Sequence, residues 1–221
     1  SLAQQYKLVP MYVFISFGFT NFGMHYIIER KLLLYDSLMM GVEAGLAFIL
    51  TLIFIQCIPL IFSSKRSRAL RTEEVVSLTI LIASILTGTI GWTIYDLSFE
   101  HILSRYLVLI FALSAGAAIG STVGVVTGLI FSLASVATLF QMSLLAFAGL
   151  LGGLLKEGRK IGTAAGLLVA TVLIGLYGEG TSNLTIAMYE SLVAIGLFML
   201  TPGFLLEKIS KYIPGTTEFS N

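Results

Sequence analysis

The sequence predicts an all-α, polytopic membrane protein, a helical bundle of about eight spans with both termini in the cytoplasm. Three observations carry this. First, 57% of the 221 residues are hydrophobic and 11% charged, with a mean hydropathy of +0.95. Soluble domains carry about 45–50% apolar and about 25% charged residues. Second, the few charges are gathered into short stretches, and the apolar runs between them are long enough to cross a bilayer. Third, Gly is frequent, at 22 residues, and Pro scarce, at 4, as suits close-packed membrane helices. Disorder, a disulfide scaffold and a soluble enzyme core are excluded on composition. A net charge of +1 gives nucleic acid little to bind. The single Cys57 cannot form an intramolecular disulfide and reads as a small buried hydrophobe. The chain begins on Ser with no signal peptide, and reads as a piece of a larger protein.

Six spans are read directly: Leu8–Ile28, Leu38–Phe62, Val75–Tyr95, Ile102–Gly116, Ile161–Tyr177 and Leu184–Leu205. Each is near the ~17–25 residues that a tilted helix needs. The stretch Ala117–Leu155 has room for two more crossings, Gly120–Phe140 and Met142–Leu155, or for one re-entrant pair. An internal comparison favours two crossings. Gly116-Ala-Ala-Ile-Gly120-Ser-Thr-Val-Gly124 is similar to Gly158-Arg-Lys-Ile-Gly162-Thr-Ala-Ala-Gly166, and Ser143–Gly149 is similar to Ser191–Gly196. Two hairpins would then repeat in tandem. Residues 1–207 form the transmembrane domain, and 208–221 begin a cytoplasmic linker.

Lys and Arg set the orientation. Lys65, Arg66, Arg68 and Arg71 form one loop, Lys156, Arg159 and Lys160 another, and Lys208 and Lys211 follow the last span. With these and Lys7 inside, ten of the 13 basic residues are cytoplasmic. Only Arg30, Lys31 and Arg105 fall outside.

Two groups of residues are candidates for a function within the bilayer. Gly116, Gly120, Gly124 and Gly128 recur every four residues, as do Gly158, Gly162 and Gly166. That spacing lines one helix face and lets another backbone approach, either within the bundle or in an oligomer. The Gly116–Gly128 ladder also argues for one continuous helix, which pushes the preceding turn back towards Ser114–Gly116. Glu43 and Glu190 lie at similar depth below the outer interface, where a lone carboxylate is costly. Arg105 is the cation expected to pair with one of them, with Arg30 the next choice. They form either a substrate or proton site, or a structural ion pair.

Enzyme motifs are missing. His25 and His101 lack ligand spacing, and neither His-Glu-x-x-His nor Gly-x-Ser-x-Gly occurs. No catalytic or metal residue is assigned, and no cofactor is expected in this chain. Trp92, Tyr95, Tyr106, Tyr177, Tyr189 and Tyr212 near span ends read as an interfacial aromatic belt.

Longer strings carry a resemblance. Glu100-His-Ile-Leu-Ser-Arg-Tyr, Gly120-Ser-Thr-Val-Gly-Val-Val-Thr-Gly-Leu and Gln141-Met-Ser-Leu-Leu-Ala-Phe-Ala-Gly-Leu-Leu-Gly-Gly-Leu-Leu-Lys-Glu-Gly-Arg-Lys resemble the N-terminal membrane domain of the stage II sporulation protein E family of endospore-forming bacilli. Leu176-Tyr-Gly-Glu-Gly, Tyr189-Glu-Ser-Leu and Tyr212-Ile-Pro-Gly-Thr fit the same family. The similarity runs from about Ser37 to Thr217. It implies a multi-span domain followed by a cytoplasmic regulatory region and a manganese-dependent, PP2C-type serine phosphatase. That enzyme dephosphorylates an anti-anti-sigma factor and so activates the first forespore sigma factor. The family also implies location at the asymmetric division septum and association with a tubulin-like division protein. This sequence lacks the acidic metal ligands of the phosphatase, so manganese is expected only in a domain beyond it.

The expected function is therefore membrane anchoring, septal placement and self-association, with the bilayer and further copies of the chain as partners. The alternative is a small-molecule permease or channel-like domain lined by Glu43, Glu190 and Arg105. A continuous water-accessible path to those residues separates the two.

Overall fold

The computed structural model describes residues 2–29, 38, 41–42, 44–53, 55, 71–134, 139–178 and 181–211. The side chains of 2–7, 21–22, 24–29 and 181–183 are not among them. The described chain is mostly helical and divides into two compact units, Ser1–Ser64 and Lys65–Asn221.

The first unit holds α1 (Leu2–Glu29) and α2 (Ala44–Ile53). Apolar side chains such as Met11, Phe14, Ile15 and Phe19 are exposed around α1 within this unit, and its apolar part, Leu8–Thr20, is shorter than a full span. Phe14 and Phe48 join the two helices edge to face, with ring centroids 6.3 Å apart. Gly41 and Gly45, spaced like the other ladders, have open space around them.

The second unit is a bundle of α3 (Thr72–Thr87), α4 (Phe99–Ala115), α5 (Ala117–Ala134), α6 (Leu139–Leu154), α7 (Arg159–Gly178), α8 (Thr181–Leu200) and α9 (Gly203–Ser210). α4 is its centre, touching α3 and every helix from α5 to α9. Its Val108, Leu109, Phe111 and Ala112 are buried against Leu144, Leu145 and Ala148 of α6, Leu167 and Ala170 of α7, and Ala187, Ala194 and Phe198 of α8. Opposite faces remain apolar too: Leu129 and Leu133 of α5, Phe147 and Leu154 of α6, Val169 and Leu176 of α7, and Leu192 and Leu197 of α8 are exposed. A bundle apolar both inside and out is built for hydrocarbon.

Helix length sorts the expected spans. Among the described residues, Ala117–Ala134 and Lys156–Gly178 are long and apolar enough to cross a membrane. A third qualifies if Leu184–Leu200 and Gly203–Ser210 count as one bent span. α6, at 16 residues, is about 24 Å long, shorter than the hydrocarbon core.

Two expected boundaries are corrected. The segment Val75–Tyr95 is helical only as far as Thr87. The chain then turns through Gly88 to Gly91 and forms a hairpin of β1 (Thr93–Ile94) and β2 (Leu97–Ser98). Gly91 adopts φ +89 before the hairpin, and the two loop residues Tyr95 and Asp96 adopt φ 51 and 64, the positive values that a two-residue hairpin turn with matching twist requires. The β-branched Thr93 and Ile94 favour the strand. The segment Leu184–Leu205 breaks at Thr201–Pro202, where α8 and α9 meet at 89°. Pro202 has no N–H to continue the ladder and disfavours a helical Thr201.

The turn between α4 and α5 falls at Gly116, with φ +87, a conformation open to Gly at low cost. Five ladder glycines then lie at backbone contacts. A Cβ at Gly120 would come within 2.7 Å of Gly149 O, and one at Gly128 within 2.6 Å of the Met142 Cα. One at Gly124 would strike the Leu145 carbonyl, one at Gly162 the Leu155 carbonyl, and one at Gly166 the Gly152 backbone. Both ladders therefore grip α6, from α5 on one side and α7 on the other. The tandem-repeat expectation would instead put the second ladder on α8. Gly158 departs from the helix-packing assignment, whereas the Gly116 backbone lies against Gly153 of α6. Gly116 is the break itself, facing the Lys156 side chain, and Gly158 ends a short 3₁₀ turn (Lys156–Gly158) in open space.

Candidate functional site

The start of α4 carries the cluster of interest. Arg105 and His101 are one helical turn apart on α4 and so share a face. That face meets α8 at Ala187 and Glu190. The Arg105 guanidinium is 0% exposed and the Glu190 carboxylate 2%, with Nη2 3.1 Å from Oε2. Arg105 Nη1–H donates to the Ala187 carbonyl at 2.9 Å. The Ser98 backbone N–H, at the end of the hairpin, donates to Glu190 Oε1 at 3.0 Å. His101 Nδ1 lies 3.1 and 3.2 Å from the two carboxylate oxygens. An ionised carboxylate only accepts, so this nitrogen carries the hydrogen.

The carboxylate is thus held from three directions, and its charge is offset inside apolar helices. Arg105 Nε has no hydrogen-bond partner among the described residues. A small cavity of mixed lining adjoins His101. Glu100, Ser104 and Gln141 line it with Ile90, Phe131 and Leu145.

The bundle has further polar ties. Thr171 and Ser191 share a buried hydroxyl contact of 2.8 Å between α7 and α8. The Tyr106 hydroxyl meets Thr201 Oγ1 at 2.7 Å. Lys160 Nζ donates to the Thr201 and Met199 carbonyls, capping the end of α8 at the bend with a cation that favours a helix C-terminus.

Of the four charged candidates from the sequence, the fold brings Arg105 and Glu190 into contact. Arg30 and Glu43 lie outside the described residues. His101, Glu100, Gln141 and the Ser98 N–H were not singled out. The His101–Arg105 spacing is a signal that could have drawn in the histidine, whereas a backbone donor supplied by a hairpin has no signature in the side-chain pattern. Among the described residues, no three or more His, Cys, Asp or Glu gather to hold a metal ion. They do not fit a manganese centre, and no metal step is derived.

Comparison with known proteins gives one family match and two relatives that agree with it. The model for "SpoIIE, N-terminal domain" matches residues 1–210. Stage II sporulation protein E of Bacillus subtilis (strain 168) is 52% identical over 212 residues, which cover 96% of this chain and 26% of that protein. The protein of the same name from Priestia megaterium is 60% identical over 97 residues, covering 44% of this chain and 17% of its own. The chain thus spans about a quarter of the length of the Bacillus subtilis relative. No solved structure matches.

Proposed function

Because this chain belongs to the SpoIIE N-terminal domain family, we propose that it is the multi-pass membrane domain of a sporulation phosphatase, with eight spans and both termini in the cytoplasm. It holds the protein at the asymmetric division septum and gathers copies of it there. The attached PP2C-type phosphatase uses manganese and dephosphorylates an anti-anti-sigma factor, activating the first forespore sigma factor. Cytoplasmic regions beyond this chain contact the tubulin-like division protein.

The observation that carries this reading is 52% identity across 96% of the chain, matched to only 26% of the relative. A short chain of apolar helices aligned to part of a longer sporulation protein reads as its membrane portion. The outward apolar faces and the basic Lys208 and Lys211 after the last span support it. Self-association uses the outer faces of α5 to α8, since the contacts at Gly120, Gly124, Gly128, Gly162 and Gly166 are already made within the chain. Clustering raises the local concentration of appended domains without a catalytic contact.

The test is the chain fused to a fluorescent protein in sporulating cells, alongside the purified chain in nanodiscs. Septal enrichment and oligomers are expected, without manganese-dependent hydrolysis of a phosphoserine substrate. A monomer spread evenly over the membrane at every stage would count against the reading. It would also favour the permease alternative, for which the buried Arg105–Glu190 pair is the one supporting observation.

A further inference from the structure

We propose that the cavity beside His101 binds one small monovalent cation, either a sodium ion or a proton delivered by hydronium. Its volume is about 30 Å³, room for a single water molecule or an ion of similar size. α4 contributes Glu100, His101 and Ser104, and α6 contributes Gln141.

The chemistry of the lining selects the guest. Glu100 Oε2 and Gln141 Oε1 are both fully buried with no hydrogen-bond partner among the described residues, and both are acceptors. Ser104 Oγ gives its hydrogen to the His101 carbonyl at 3.0 Å, which leaves its lone pairs free. His101 turns its Nδ1 hydrogen to Glu190 and also borders the cavity. The oxygen lining is therefore one carboxylate, one amide carbonyl and one hydroxyl, which is a hard cation's donor set rather than an anion's. Turning the Gln141 amide would change one acceptor to a donor but would not alter the charge.

The charge balance favours a cation over neutral water. Arg105 is engaged by Glu190, 3.1 Å away. The Glu100 carboxylate, in the first turn of α4 and half-buried with Oε2 enclosed, has no cation paired with it among the described residues. The titratable groups around the cavity are Glu100 and His101 on α4, with Arg105 one turn on and Glu190 on α8. Ile90, Phe131 of α5, and Gln141 and Leu145 of α6 bring no charge. Water would fill the hydrogen bonds, whereas a cation would also offset the carboxylate charge at the enclosed Oε2.

The experiment is thermal unfolding of the full chain in nanodiscs, in sodium chloride and in choline chloride at equal ionic strength, each across a pH series. If sodium is the guest, it raises the melting temperature by about 2–4 °C over choline at neutral pH, and the gain shrinks as protons compete. If the proton is the guest, sodium has no effect, and acidification stabilises the native chain relative to Glu100→Gln. In either case Glu100→Gln, which keeps the shape, loses the response. Gln141→Leu, a second variant that spares the carboxylate, shifts the sodium or pH midpoint about tenfold. Native chain and both variants responding alike to sodium and to pH would overturn the proposal.

Discussion

Arg105 Nη2 stands 3.1 Å from Glu190 Oε2 across the α4–α8 contact, and neither side chain reaches the surface. The two residues lie 85 positions apart in the chain, so the pair joins distant segments rather than decorating one helix. Removing one partner leaves the other as an uncompensated buried charge. Arg105→Leu or Glu190→Leu is expected to destabilise the bundle by ~3–5 kcal/mol. The double variant should cost less than the sum, because no lone charge remains. Reversible unfolding in mixed micelles measures the three values, and strict additivity would mean that the pair is not coupled.

Ser98 separates backbone from side-chain effects at the same carboxylate. Its N–H donates to Glu190, while its side chain makes no capping bond to α4. Ser98→Ala should therefore change stability by less than ~0.5 kcal/mol. Ser98→Pro is compatible with the observed φ of −86° but removes the donor, and should cost ~1–3 kcal/mol. Equal effects of the two variants would dismiss the backbone contribution.

The glycine contacts divide the same way. Gly124→Leu drives a side chain into the Leu145 carbonyl, and Gly149→Leu into that of Gly120. Each is expected to cost at least ~1–3 kcal/mol by overpacking. Gly158→Ala meets nothing within 4 Å and should stay within ~0.5 kcal/mol. Unfolding midpoints of the three variants decide it.

The eight-span arrangement is tested by labelling single cysteines in a Cys57→Ser background. Tyr95, 95% exposed at the hairpin turn, should label from outside and Glu157 from inside. Ala134, at the end of α5, distinguishes crossing from re-entry. It should label from the same side as Tyr95 if α5 and α6 both cross. Labelling with Glu157 instead would make them a re-entrant pair.

Much of the architecture was legible in the residues. Runs of apolar side chains marked where the helices of the second unit lie, with ends misplaced by up to eight residues at α3 and six at α5, and the Gly116–Gly128 ladder put the α4–α5 break near Gly116, where it falls. Hydropathy failed where local backbone chemistry overrode it. Gly88 to Tyr95 reads as the end of a span, yet the helix stops at Thr87 and Thr93 to Ser98 form a hairpin. Pro202 carried its own warning, since a proline so close to a span end rarely leaves the helix straight.

By itself, the sequence determined that this chain is helical, is built for lipid, and places a carboxylate and a guanidinium within apolar segments. Those properties are local, following from composition and from periodicity along one strand of chain. Only the tertiary structure decided that both glycine ladders close on α6, that Arg105 meets Glu190, and that His101 and the Ser98 N–H complete the cluster. Glycine spacing says that a backbone can approach but not which one. A buried charge demands a partner but does not name it. The partner is fixed by which helix faces pack, and that depends on contacts summed over the whole bundle.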